Sequence, residues 1–313
     1  MSTIRVVFLG TPDFSEYCLE SLYGDNHFEV VGVVTQPDKP AGRKMALTPS
    51  PVKKFALDRG LRVLTPENIN TDEALREIES WNGEAAVVVA YGQILSQKFL
   101  NMFEEKVVNV HVSILPRWRG AAPIQRAILA DDRETGVALQ KVIKKLDAGD
   151  VLGVRKLVLS DDLSALDVLE KCKPLAGELL HIEFMDYLRG NLAGAAQDES
   201  LVTYAKKIEK SEGIIDWRHS SRYIFNHVRA MTMGPGSTTV LSGKRLKITK
   251  LNVKSLTGKH QPGIILEVNS KIVVVGCGEG SVELLEVQPE SKGKMPVAEF
   301  LKGNPLKKGD KIG

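Results

Sequence analysis

Apolar runs separated by amphipathic stretches recur through the first half of the chain. This alternation constrains the fold more than any single residue does. Strands are expected at Ile4–Gly10, 29–35, 61–64, 85–90, 107–112 and 136–143, with helices at Asp13–Tyr23, 51–59, 71–80 and 121–130 between them. The run at 85–90 is apolar without a polar face, as in a strand covered on both sides. Thr71 stands where a helix N-cap belongs, with Asp72 and Glu73 in the first turn. Such alternation builds an α/β fold, a doubly wound, mostly parallel, Rossmann-like sheet. A long helix over 163–188 is expected to be interrupted near Pro174. The stretch 190–206 begins small, polar and aperiodic, and reads as a linker between 1–189 and 207–313. Beyond it one helix, 220–231, precedes short strands at 246–253, 263–268, 271–276 and 281–287. Gly, Pro, Asn and Ser punctuate them, the pattern of a small antiparallel barrel or sandwich.

A length of 313 residues with 43% hydrophobic content suits two globular domains rather than a disordered chain. Three scattered cysteines, Cys18, Cys172 and Cys277, form no CxxC pair, so a disulfide scaffold or structural zinc is not expected and no metal is called for. No apolar run reaches the roughly 20 residues that span a bilayer, and because Ile4–Gly10 reads as a strand close to the N-terminus, no targeting leader is expected. A monomeric, cytoplasmic protein without a membrane partner is the expectation. The net charge of +3 conceals a split. Residues 204–313 hold 19 Lys+Arg against 10 Asp+Glu, a net +9, and residues 1–203 carry −6. Charge alone leaves a polyanion partner and a plain solvated surface equally open.

The first strand runs out through Gly10-Thr11-Pro12-Asp13, which lacks the glycines that let a backbone approach a pyrophosphate. A dinucleotide site is therefore disfavoured, and no Walker A loop is present. Val107-Val108-Asn109-Val110-His111 is more informative. Residues two apart share a strand face, so Asn109 and His111 point the same way near the strand's C-terminal end, where open α/β sheets bind ligands. An amide can donate to a developing oxyanion, and an imidazole can move protons near neutral pH. A satisfied core histidine beside a loop-capping Asn would read the same. In Leu146-Asp147-Ala148-Gly149-Asp150, a tight loop, Asp147 could orient His111, though an isolated Asp-x-Gly is most often a turn. Arg117 and Arg119 could hold phosphate or carboxylate. The segment 36–54 reads as a long loop; it carries Lys39, Arg43, Lys44, Lys53 and Lys54 against Asp38 alone, and suits a nucleic-acid backbone.

These residues converge on a known family. Gly10-Thr11-Pro12-Asp13-Phe14, Thr35-Gln36-Pro37-Asp38, Pro40-Ala41-Gly42-Arg43, Val89-Ala90-Tyr91-Gly92, Asn109-Val110-His111, Arg117-Trp118-Arg119-Gly120-Ala121-Ala122-Pro123-Ile124-Gln125-Arg126 and Leu146-Asp147-Ala148-Gly149-Asp150 occur in order, followed by Thr203-Tyr204-Ala205 and Ile215-Asp216-Trp217. The chain resembles the methionyl-tRNA formyltransferases along nearly its whole length. The resemblance implies the formyltransferase fold with a C-terminal OB-like β-barrel. It also implies formyl transfer from 10-formyltetrahydrofolate to the amino group of methionyl initiator tRNA, without metal. Asn109, His111 and Asp147 would fall on the catalytic positions. The folate would lie along Tyr91, Gly92, Gln93, Ile94 and Leu95, along Ser113, Ile114, Leu115 and Pro116, and by Ala148. Lys39, Arg43, Lys44, Arg117 and Arg119 would meet tRNA, as would the basic C-terminal part. The chain departs from the family's habit at Val112 and Lys145, where Gly is usual, and at Ala138-Leu139-Gln140-Lys141-Val142, where Thr and Met are. Another folate formyltransferase, a sugar-nucleotide formyltransferase and a non-catalytic tRNA-binding protein are the alternatives.

Overall fold

The computed structural model describes residues 3–41 and 45–313. Contacts divide the chain into two compact units. The first comprises 1–120, 135–157 and 169–205; the second takes 121–134, 158–168 and 206–313.

The first unit is built on β1 (Ile4–Gly10), β2 (Phe28–Val34), β3 (Val63–Leu64), β4 (Ala85–Val89), β5 (Val107–His111), β6 (Glu134–Lys141) and β7 (Val151–Val158). They form one seven-stranded sheet in the order β7-β6-β5-β4-β1-β2-β3. Pairing is parallel from β5 through β4, β1 and β2 to β3, and β6 runs antiparallel to β5. The central position of β1 explains its composition: Val6, Val7, Phe8 and Leu9 are each 0% exposed, and such burial is worth about 2 kcal/mol per side chain. The chain first builds outward through β2 and β3, then crosses back to lay β4 on the other side of β1. The C-terminal ends of β1 and β4 thus flank the switch point where such sheets bind ligands. Antiparallel register sets Asn109 opposite Gln140 and His111 opposite Ala138.

Two local expectations are corrected. The helix Ala165–Leu179 runs through Pro174 without a break. Its irregularity comes later, as a π-turn at Leu180–Phe184 before Met185–Leu188. Proline removes one intrahelical donor, which a packed helix tolerates. The segment 36–54 is not all loop: Lys39–Ala41 and Ala46–Thr48 pair as a short antiparallel ribbon. Ala46, Leu47 and Thr48 are all exposed, so no buried face stamped a period on the sequence.

The second unit carries β8 (Ser237–Leu241), β9 (Lys244–Ser255), β10 (Ile265–Val268), β11 (Val273–Gly276) and β12 (Ser281–Pro289), ordered β8-β9-β12-β11-β10 and antiparallel throughout. Bridges from Leu241 to Ile312 and from Ile264 to Lys311 let the tail join the two edges, as closure into a barrel requires. Its core includes Trp217, Ile224, Leu246, Ile248, Val275 and Val282, and the Trp217 indole donates to Thr239 Oγ1 at 3.0 Å. Helices Pro123–Leu129 and Ser221–Ala230 also belong to this unit.

Candidate active site

Asn109 and His111 share a face at the end of β5, as their spacing predicts. His111 is 7% exposed, and its Nε2 lies 2.9 Å from the Trp118 carbonyl. A carbonyl only accepts, so Nε2 carries a proton and Nδ1 is the nitrogen left to gain or lose one. Nδ1 faces Asp147 Oδ2 at 3.9 Å, an ion-pair rather than a hydrogen-bond distance. Among the described residues the Asn109 amide has no hydrogen-bond partner, and it is only partly buried, so its donors remain open.

The loop after β6 places Asp147. Its backbone sits at φ 49°, a left-handed conformation that costs a non-glycine residue roughly 1 kcal/mol. Oδ2 accepts from the Gly120 amide at 2.8 Å and Oδ1 from Gln140 Nε2 at 3.1 Å. Gly149 permits the turn: a Cβ there would sit 2.0 Å from the Lys141 carbonyl oxygen. Gln197 Nε2 donates to the carbonyls of Asp147 at 2.9 Å and Gly149 at 2.7 Å. The loop is therefore held from two sides.

The residues expected to line a folate fall into two kinds. Ile94 is 81% exposed and Gly92 adopts φ 91°, so this turn offers an apolar side chain and bare backbone. The side chains of Gln93 and Ser113 are already engaged, whereas the buried Tyr91 hydroxyl has no hydrogen-bond partner among the described residues. Gln93 accepts from Ile69 N at 2.8 Å and donates to Pro66 O at 3.0 Å, while Ser113 Oγ donates to Arg117 O at 2.8 Å. Tyr91 O accepts from Thr11 Oγ1 at 3.2 Å and Gln36 Nε2 at 3.1 Å. The Tyr91 ring belongs to the apolar core, and burial pushes its phenol well above the usual range. Leu95 and Leu115 are buried, Ile114 and Pro116 are half-buried, the Leu115–Pro116 peptide is cis, and Ala148 is half-buried in the Asp147 loop.

The cations expected to meet tRNA also divide. Lys39 is exposed on the ribbon, and Arg43 and Lys44 lie outside the described residues. The Arg117 guanidinium carbon stands 4.5 Å from the Trp118 ring centroid. Arg119 departs from the expectation: it is 1% exposed, with Nε donating to Gln197 Oε1 at 3.0 Å and Nη2 to Glu199 Oε1 at 2.9 Å. Its guanidinium faces these two side chains rather than solvent. An Arg in an Arg-rich turn looks solvated in sequence; only the packing of residues 197–199 reveals a strut. Gln140, Gln197 and Glu199 were missed for the same reason, since nothing local links them to Asp147. No group of three or more His, Cys, Asp or Glu among the described residues is placed to hold a metal ion.

A formyl transferase family model matches residues 4–181, and a formyl transferase C-terminal domain model matches 207–305. A methionyl-tRNA formyltransferase of Bdellovibrio bacteriovorus is 53% identical over 317 residues, covering 100% of both chains. That of Bradyrhizobium diazoefficiens is 40% identical over 312 residues, 99% of each. Among solved structures, the sugar 3N-formyl transferase WlaRD superposes with TM-score 0.67 at 18% identity, over 94% of this chain and 100% of that one. HypX from Aquifex aeolicus, in complex with tetrahydrofolic acid, gives 0.63 at 18% identity, over 100% of this chain and 51% of that one. These two likenesses establish the fold. The full-length identity to the first two, together with both family models, establishes more: the chain belongs to the methionyl-tRNA formyltransferases.

Proposed function

We propose that the chain transfers the formyl group of 10-formyltetrahydrofolate to the α-amino group of methionyl initiator tRNA, yielding N-formylmethionyl-tRNA for translation initiation. The observation that carries the reading is the convergence of Asn109, His111 and Asp147 at the end of β5, in a chain aligned to such enzymes over its full length. The methionyl amine attacks the formyl carbon, and the carbonyl oxygen becomes an oxyanion. The open Asn109 amide donates to that oxygen, a contribution of about 2.7–4 kcal/mol for one donor in a preorganised site. His111, with Nε2 fixed on the Trp118 carbonyl, uses Nδ1 for proton exchange, and Asp147 stabilises the imidazolium. The amine loses a proton to the His111–Asp147 pair. The carbon–N10 bond then breaks, and N10 takes up a proton as tetrahydrofolate leaves. No covalent enzyme intermediate and no metal enters this scheme.

The folate is assigned to the exposed Ile94 turn, the 113–116 turn and the Ala148 loop, with recognition falling on backbone groups because Gln93 and Ser113 are spent internally. Residues 1–189 are assigned to catalysis. The basic part 207–313, reached through 190–206, is assigned to tRNA, helped by Lys39, Arg43, Lys44 and Arg117. We assign the activity to a cytoplasmic monomer; no helix among the described residues is long and apolar enough to cross a membrane. The test offers purified protein 10-formyltetrahydrofolate with either methionyl initiator tRNA or glycinamide ribonucleotide. Formylmethionine, identified by mass after deacylation, is expected from the first. Formylation of the second acceptor alone would select a different formyltransferase.

A further inference from the structure

We infer that Gln140 and Gln197, the latter aligned by the buried Arg119, form a directional hydrogen-bond relay that positions Asp147 for proton exchange with His111. The inference rests on the role given to Asp147 above and adds residues that no motif marks. Arg119 carries donors and no acceptor, so its Nε at 3.0 Å compels Gln197 to present Oε1 to it. The Gln197 amide nitrogen then points the other way, its two hydrogens serving the carbonyls of Gly149 at 2.7 Å and Asp147 at 2.9 Å, with Gln140 Oε1 sharing one of them at 3.2 Å. Asp147 Oδ1 accepts, so the Gln140 nitrogen faces it at 3.1 Å and Gln140 Oε1 is left toward Gln197. The two amides are thus oriented from their ends, Gln197 by Arg119 and Gln140 by the carboxylate, and the chain delivers an N–H to Asp147. The Gly120 amide delivers another to Oδ2.

Two features show that the relay is built in. Arg119 is 1% and Gln140 1% exposed, so these polar groups are desolvated and their orientations are held by partners rather than by water. Asp147 adopts a left-handed backbone at φ 49°, which persists only where surroundings over-determine it; Gln197 grips the main chain on both sides of Ala148. The far end is anchored as well. Glu199 takes Arg119 Nη2 at 2.9 Å and Lys145 Nζ at 2.8 Å, tying 197–199 to the residue two before Asp147. The segment that reads as a linker therefore contributes positioning residues to the site.

The test uses the full chain and compares Gln140→Met, Gln197→Met and Gln140→Glu with wild type and Asp147→Asn. Methionine preserves the shape of glutamine and removes the hydrogen bonds. Both methionine variants are expected to lose roughly tenfold or more in kcat, the scale of a small misplacement of a reacting group. KM for folate and tRNA should stay within about twofold, while the thermal midpoint falls by a few degrees because each variant leaves buried partners unpaired. In Gln140→Met the acid limb of the kcat–pH profile should move upward, since a carboxylate that loses a donor protonates more readily. Gln140→Glu sets a second carboxyl against Asp147 in a desolvated position, where the two share one proton near neutrality, so its acid limb should move further upward than that of Gln140→Met. Wild-type kcat and pH profile in both methionine variants, beside an inactive Asp147→Asn, would overturn the relay alone. A Gln140→Glu pH profile superposing on that of wild type would overturn the step from residue 140 to Asp147. Wild-type kcat in Asp147→Asn would overturn the relay and the role of Asp147 together.

Discussion

At the scale of the residue, the carbonyl of Trp118 decides how His111 works. By taking the Nε2 proton it leaves Nδ1 as the working nitrogen, on the side of Asp147. Asn109→Ala removes the donor to the developing oxyanion and His111→Ala the group that exchanges the proton, and each should lower kcat by about 10²–10³ while the thermal midpoint holds. A loss of that size with a collapsed midpoint would instead mark a structural histidine. The three thiols are expected to be inert, because burial pushes Cys172 and Cys277 up to about 12 and Cys18 higher still. At pH 8 a thiol reagent should titrate none in the native protein and all three in denaturant. Asn109 and His111 were legible in the sequence because a two-residue spacing on a strand fixes their common face. Arg119 was not. Its residue type speaks for a solvated cation, and the side chains that bury it come from 78 and 80 positions further on.

At the scale of the element, the loop after β6 depends on one missing methyl group. Gly149→Ala would drive a Cβ to 2.0 Å from the Lys141 carbonyl, where backbone must shift. This change should cost activity out of proportion to its size, since it moves the loop that carries Asp147; equal activity in Gly149→Ala and wild type would show the loop to be irrelevant. In the second unit, Arg222 donates to Asp131 and Asp161 and holds both carboxyls below their usual range. Depressed carboxyls contribute stability above their unfolded value of about 3.9 and lose it as pH falls through the folded value. Denaturation midpoints should therefore fall between pH 5 and 2, and Arg222→Ala should flatten that fall. The pairs are partly exposed, so the effect at neutral pH is small. Elements with a buried face announced themselves, as β1 and β4 did. The strand Ala46–Thr48 of the short ribbon had no face to bury, and β6 gave no hint of running antiparallel, because strand direction is a property of the neighbour.

At the scale of the whole molecule, the split of −6 against +9 is the feature that most needs a partner. Removing everything after 203 is a poor probe of it. Residues 121–134 and 158–168 pack with 206–313, through Arg126 to Glu212 at 2.6 Å and through Arg229 to the carbonyls of Ser160 and Leu163. Truncation would strip these segments of their partners. Single replacements of exposed lysines in 244–308 by Gln should instead weaken tRNA binding and reduce the salt slope by up to about one counterion each; slopes unchanged across the series would make the basic surface incidental. Sequence placed the basic excess after 204 but could not show that the net acidic segments 121–134 and 158–168 fold with it, since those contacts join residues 69 to 95 positions apart. The most direct test of the account is single-turnover formylation of methionyl initiator tRNA at saturating 10-formyltetrahydrofolate, with wild type beside His111→Ala. Wild type should form formylmethionyl-tRNA, and the variant should do so roughly 10²-fold or more slowly at unchanged tRNA affinity. Equal rates in the two proteins, or no formylmethionine from wild type, would contradict it.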